Sequence, residues 1–392
     1  MTHESALAEK RTAVTHPTTA LLGLSWLHFL NDGAANFLPG ILPAILVTLH
    51  RGASSASWVM SALLIGQALQ PLMGWWSDRI GGKSLILFGV GGTSLGLVLV
   101  GVSTNLGMLL IVLFLIGLSN SIFHPQSMAS ARSLAKTSHG TVMSVFLVGG
   151  EIGRGLYPLV ASIVVASYGL KGLWVVAIPA LISIPLVALL LPELPARHAD
   201  AKPIAWAQHA KPAAALISYV SLRALLLYAL VTYLPLLWRQ TGGSLVAGAS
   251  LITVLLIVGV IGNVSGGLLA DRFGRRFVLV GSSLLSALFV TLYMISSGWL
   301  LWVVLGFLGI AIFSTLPVSV LVGQDIFPEN RSLGSGLALG FGNSIGALLL
   351  LGFGATVHVL GIRDALWMLV PVSFACTLIS TLLISYDHHK IH

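Results

Sequence analysis

The chain has 392 residues, of which 56% are hydrophobic and only 8% charged, with a mean hydropathy of +0.96; that balance excludes a water-soluble domain. Its 20 Lys and Arg exceed 12 Asp and Glu, but the cations fall a few to a loop and form no basic face, which excludes a nucleic-acid partner. A single cysteine, Cys376, excludes a disulfide framework and a cysteine-based metal site.

Residues 1–18 are polar and lack the apolar core and small-residue cleavage site of a signal peptide, so a short cytoplasmic tail is expected. Twelve apolar runs follow, at 20–49, 56–77, 84–102, 107–130, 141–166, 173–191, 213–238, 246–269, 277–296, 299–324, 332–357 and 364–385. Each approaches or exceeds the ~20 residues that a helix needs to cross a bilayer. Lipid offers the backbone no hydrogen-bond partner, so the fold class is an all-α integral membrane protein with twelve transmembrane helices. The polar stretch 192–212, with four prolines, reads as a cytoplasmic linker between six-helix halves at 19–191 and 213–386, and 387–392 as a second tail.

The halves repeat each other. GWWSDRIGGK, from Gly74 to Lys83, returns as GLLADRFGRR, from Gly267 to Arg276, so that Asp78 and Asp271 lie 193 positions apart. Pro43 and Pro235, Pro125 and Pro317, and Gly150 and Gly342 repeat at an offset of 192. Two pseudo-symmetric halves with a binding site between them follow. Gly74, Asp78, Arg79, Lys83, Gly267, Asp271, Arg272 and Arg275 are the candidate gating residues of these loops. With the N-terminus inside, Lys10, Arg11, Arg79, Lys83, Arg132, Lys136, Arg197, Lys202, Lys211, Arg272, Arg275, Arg276, Arg331 and Lys390 fall inside, against Arg51, Lys171, Arg239 and Arg363 outside. This excess puts both termini in the cytoplasm.

The two loops resemble the signature between the second and third, and the eighth and ninth, helices of the major facilitator superfamily. HFLND (His28–Asp32), SIFHPQS (Ser121–Ser127), Ala131-Arg132, His139-Gly140 and VGGEIGRGLYP (Val148–Pro158) further resemble the fosmidomycin-resistance branch of bacterial drug-efflux transporters. Gln126 stands where that branch carries an acid, and Glu151 and Arg154 charge a stretch that is otherwise uncharged. The resemblance implies drug efflux across the inner membrane, with a phosphonate antibiotic as a test substrate.

A charge near the bilayer centre costs roughly 2.5–3.5 kcal/mol on insertion scales, so one that persists there is a functional candidate. Asp32, Glu151, Arg154 and Arg223 meet that test. His28, Asn31, Asp32 and Asn36 are spaced i, i+3, i+4, i+8 and share a helix face, which lines a cavity or packs as a hydrogen-bonded seam. Desolvation favours the neutral form of a carboxyl group, so Asp32, with only His28, Asn31 and Asn36 near it on its own helix, is the expected proton carrier. His28 either relays or holds the proton.

Glu151 and Arg154, at i and i+3, form either a self-neutralised pair or part of the site. The surrounding glycines leave room for a ligand or serve close packing, and they loosely resemble the antiporter signature of the superfamily. Arg223, 192 positions after Asn31, is placed by pseudo-symmetry across the cavity, where Asp32, Glu151 or a substrate anion would pair with it. Tyr228 and Tyr233 either add aromatic walls to the cavity as substrate contacts or pack in the core, and Asn343, a further candidate for substrate contact, reads first as an interhelical hydrogen-bonding group. His124, beside the helix-kinking Pro125, is a ligand or, from its place towards the inner end, a structural or gating group; the second is the expectation. Asn120 and Asn263 read as interhelical hydrogen-bonding groups, and Asp325 and Glu329 as partners of loop cations.

No enzymatic constellation emerges, and no metal or other cofactor is expected. The glycine run at Gly89–Gly96 lies within a membrane span and lacks the lysine of a phosphate loop. The expectation is therefore a monomeric carrier that exports a small anionic or zwitterionic compound in exchange for protons. Transport of a natural organic anion, such as a metal-chelating metabolite, is the alternative; a membrane receptor or scaffold that transports nothing is the reading from another class.

Overall fold

The computed structural model describes residues 17–134, 139–191, 206–328 and 330–385. The expected tails, most of the linker, Glu329, and the side chains of Asp78, His139 and Arg331 lie outside this description. Among the described residues there are twelve helices long and apolar enough to cross a membrane and no strands. The N-terminal half comprises α1 (Pro17–Thr48), α2 (Ser55–Ser77), α3 (Ser84–Gly101), α4 (Leu106–Leu134), α5 (Val142–Tyr168) and α6 (Leu170–Ala188). The C-terminal half comprises α7 (His209–Gln240), α8 (Leu245–Phe273), α9 (Arg275–Ile295), α10 (Leu300–Ile326), α11 (Leu333–Leu360) and α12 (Ile362–Leu383).

The residues after each repeated Asp-Arg pair close their helices. Gly81 and Gly274 end α2 and α8 with φ of +66° and +85°, a left-handed conformation that L side chains avoid. The sequence places residues up to 212 in the linker, whereas the helix of α7 already begins at Trp206 and continues past Pro212. One proline removes a single hydrogen bond there without ending the helix.

Helix α1 is not continuous. Its regular segments, Pro17–Asn36 and Leu38–Thr48, are separated at Phe37, because Pro39 cannot donate to the carbonyl of Ala35. That carbonyl instead accepts from Gln67 Nε2 of α2 at 3.2 Å. The break falls one residue after the polar face, so it separates the residues of the site from the last third of the helix.

Helices α1 and α5 pack with almost no side-chain layer between them. A Cβ on Gly149 or Gly153 would strike the carbonyl oxygens of Ser25 or Phe29, and one on Gly150 would strike the His28 ring. Of the two roles that the sequence allows these glycines, the structure shows close packing, with Gly150 making room for an imidazole. The two halves meet at mid-depth where Gly155 faces Ile257, and towards the end opposite the repeated loops where Ser57 faces Gly354. There Ser61 Oγ also donates to the carbonyl of Ala347 at 2.8 Å.

Candidate functional site

A cavity enclosing about 1140 Å³, including its open mouth, lies between the halves. Asn36, Gln67, Asn120, His124 and Arg154 form its polar wall in the N-terminal half, and Arg223, Tyr228 and Asn343 face them from the C-terminal half.

Behind the first wall sits Asp32, only 2% exposed. Asn31 Nδ2 donates to its Oδ1 at 3.2 Å and Asn120 Nδ2 at 3.1 Å, while His124 Nε2 lies 3.3 Å from the same oxygen. His28 Nε2 lies 3.4 Å from Oδ2, and Arg154 Nη2 donates to that oxygen at 3.5 Å. Asn31 in turn accepts from Thr93 of α3 at 3.3 Å, and Asn36 Nδ2 donates to the carbonyl of Asp32 at 2.8 Å. Three helices thus supply donors to one buried carboxylate, which offsets the desolvation of its charge.

Two expectations are corrected here. Asp32 does not have only neutral neighbours, because α5 brings the Arg154 guanidinium to it. His124 sits deeper than expected: the expected run stops at residue 130, whereas α4 continues to Leu134, which leaves His124, though nearer that end of the helix, about 15 Å from it at ~1.5 Å per residue. It belongs to the cluster. Asn120 and Thr93 are also part of it; the only signal for them in the sequence is a polar side chain at the depth of Asp32.

Arg154 bridges two acids, with Nη1 3.5 Å from Glu151 Oε1. Arg223 pairs with neither. Its Nη2 donates to Asn343 Oδ1 at 3.1 Å, its Nε is buried without a hydrogen-bond partner, and no carboxylate pairs with it among the described residues. Tyr228 lines the cavity, but Tyr233 does not: it is buried, with its ring 5.6 Å from that of Phe353. Five residues at 3.6 per turn carry Tyr233 about 140° round the helix from Tyr228.

In the repeated loops, Asp271 is exposed, Arg275 pairs with Asp325 of α10, and Arg79 covers the Trp75 ring at 3.6 Å. Gly74 faces Pro125, and Gly267 faces open space. Gln126 donates to the carbonyl of Ser77 at 2.8 Å, tying α4 to the end of α2.

The buried Asp32, His28 and His124 also hold one ligand atom each within 4.8 Å of one another. Arg154 against the same carboxylate opposes a dication there.

A charged site at the interface of two repeated six-helix halves is the arrangement expected of a membrane transporter. The profile of the Major Facilitator Superfamily matches residues 24–264 and 216–392, and the chain belongs to that family. It is 28% identical over 358 residues to the fosmidomycin resistance protein of Escherichia coli (strain K12), covering 86% of each chain. It is 26% identical over 391 residues to an uncharacterized MFS-type transporter, YfnC, of Bacillus subtilis (strain 168), covering 91% of this chain and 90% of that one. Among solved structures, a bacterial homologue of the human lysosomal transporter Spinster, inward-facing and occupied, superposes with a TM-score of 0.78 at 16% identity, covering 95% and 97%. The nucleoside transporter NupG superposes with 0.75 at 17% identity, covering 94% and 99%. These likenesses bear out the twelve-helix fold and the assignment as a transporter rather than an enzyme.

Proposed function

We propose that the chain exports a small anionic or zwitterionic compound in exchange for protons by alternating access, in a bacterial inner membrane with both termini cytoplasmic. The observation that carries this reading is Arg223, a buried guanidinium in the cavity wall with no carboxylate partner among the described residues. A buried charge is stabilised by pairing, and the open cavity leaves that place to an anionic group of the substrate. The Asp32 cluster on the facing wall supplies the proton site. The similarity to a fosmidomycin resistance protein makes fosmidomycin the first compound to test.

A second reading, transport of a natural organic anion, is favoured by the position of Arg154. An anion that draws Arg154 away from Asp32 leaves the cluster short of one positive charge, which a proton taken up there restores, and this couples anion and proton in the same direction. Measurement in everted vesicles separates the two. Drug accumulation that acidic vesicle lumen drives and an uncoupler abolishes supports exchange; no proton-dependent flux of fosmidomycin in either direction rejects it, and flux of a dicarboxylate accompanied by protons supports the second reading.

A further inference from the structure

Hydrogen bonds fix the two imidazole rings around Asp32 in a way that decides where their protons sit. His28 Nδ1 lies 2.8 Å from the carbonyl of Phe146, and His124 Nδ1 lies 2.9 Å from the carbonyl of Asn120. A carbonyl only accepts, so each Nδ1 carries a hydrogen. Each Nε2 then lies beside the carboxylate, at 3.4 Å for His28, whose buried Nε2 makes no hydrogen bond as the atoms stand, and at 3.3 Å for His124. In a neutral ring with its hydrogen on Nδ1, Nε2 presents a lone pair, which a carboxylate oxygen repels. The contact becomes attractive when Nε2 is protonated as well.

Two contacts of this kind meet one carboxyl group. A single proton placed on Asp32 could serve only one of the two Nε2 atoms, and the other would still face an oxygen lone pair. The remaining neighbours of the carboxylate, Asn31 Nδ2, Asn120 Nδ2 and the Arg154 guanidinium, are all donors, so they stabilise an ionised Asp32 and offer no acceptor for a carboxyl hydrogen. Burial keeps bulk water from resolving the conflict at His28, 3% exposed, and Asp32, 2% exposed, while His124, 9% exposed, borders the cavity.

We infer that the exchangeable protons are held on the Nε2 atoms of His28 and His124, and that Asp32 stays ionised as their common counter-ion. This deepens the proton-coupled reading above and rests on it for its role in transport. The other ionisable groups near the cluster are Glu151 and Arg154 on α5, Tyr157 beneath Gly33, and Arg223 and Tyr228 across the cavity on α7. Of the helices packed on the remaining sides of α1, α3 contains no ionisable side chain and α6 contains only Lys171, in its first turn. With both rings loaded, two imidazolium groups and a guanidinium outweigh the carboxylates of Asp32 and Glu151 by one charge. Unloaded, the carboxylates outweigh the guanidinium by one. A substrate that presents a cationic group to this wall therefore competes with protons, whereas an anion placed there travels with them. For exchange, a zwitterion fits best, its anionic end on Arg223.

Difference infrared spectroscopy after a pH jump, on the full chain in lipid nanodiscs, tests this without a substrate. The unaltered protein, with and without isotope-labelled histidine rings, is expected to show label-sensitive imidazolium bands at acid pH and no carboxylic C=O band from Asp32. His28→Gln and His124→Gln, which keep an amide N–H near the place of Nε2, are each expected to remove part of that imidazolium signal. A protonated-carboxyl band that disappears in Asp32→Asn overturns the inference, as do imidazolium bands unaffected by either histidine substitution. Stoichiometric binding of Zn2+ to the unaltered chain that His28→Gln abolishes also overturns it, in favour of a cation site. Should a variant fail to fold, the labelled and unlabelled wild-type spectra still decide between ring and carboxyl. A normal infrared result with no drug-driven proton flux in vesicles rejects the transport reading alone; drug-driven flux with a carboxyl band rejects this inference alone.

Discussion

Arg154 spans the seam between α1 and α5, with one terminal nitrogen 3.5 Å from Asp32 and the other 3.5 Å from Glu151. The acid on α1 and the acid on α5 thus share one cation, and each influences the other through it. Neutralising Asp32 releases Arg154 to Glu151, while neutralising Glu151 concentrates Arg154 on Asp32.

Asp32→Asn is therefore expected to abolish uphill, gradient-driven export, since the two imidazolium groups lose their counter-ion. Substrate binding is expected to stay within about tenfold, or about 1.4 kcal/mol, because Asp32 lies behind the cavity wall rather than in it. Glu151→Gln is expected to change substrate affinity through Arg154 and leave proton release intact. Counterflow together with proton release into unbuffered detergent solution checks both; full proton release by Asp32→Asn with its loss in Glu151→Gln reverses the assignment.

Arg223→Lys is expected to weaken fosmidomycin binding about tenfold, or about 1.4 kcal/mol, since a point ammonium cannot reproduce the planar fork of a guanidinium. Asn343→Ala, which removes the neighbour that orients Arg223, is expected to cost about 1 kcal/mol. Direct binding to purified protein decides. Equal affinity for Arg, Lys and Gln at position 223 makes the residue structural.

At the end opposite the repeated loops, a side chain at Gly354 would land on Ser57. Gly354→Leu is expected to wedge α2 and α11 apart there while leaving each half folded. A cysteine in place of the buried Ser61 then becomes accessible to a membrane-impermeant maleimide. Unchanged labelling shows that this contact does not seal the cavity.

The repeated loops invite a comparison of backbone with charge. Nothing lies within 4 Å of a Cβ built on Gly274, so Gly274→Ala tests its left-handed conformation alone and is expected to cost about 1–2 kcal/mol. Asp325→Asn removes a pair whose side chains are 31% and 49% exposed, for which a loss of at most about 1 kcal/mol is expected. Thermal unfolding in detergent ranks the two, and a larger loss for Asp325→Asn gives the ion pair the larger role in this loop.

Much of this architecture is legible in the chain because lipid tolerates few backbones. Twelve long apolar runs become twelve spans, and the polar face of α1 is visible because its residues recur at helical spacing. What that spacing cannot show is the rotation of one helix about its axis relative to the next. Arg154 reaches Asp32 from α5 through packing set by Gly149, Gly150 and Gly153, glycines that the sequence leaves open to two roles, and His124 and Asn120 reach it from α4. Pseudo-symmetry puts Arg223 on the correct wall, yet its neighbour proves to be Asn343, which no single-helix pattern joins to it. Of the two roles open to Tyr233, the phase of five residues from Tyr228 decides for core packing.

Helix α11 carries one turn of π-helix, Leu337–Phe341, just before Asn343. Such a turn holds one residue more than its α-helical counterpart, and one residue is about 100° of helical phase. The segment Arg331–Gly336 and the segment that begins at Gly342 are therefore out of step by that angle, and this offset is what turns Asn343 towards Arg223 while Gly334 stays against Gly323 of α10. Deleting a single residue from 337–341 would restore a regular helix at the expense of one of those two alignments, so the length of this turn is as much a part of the cavity as any side chain that lines it.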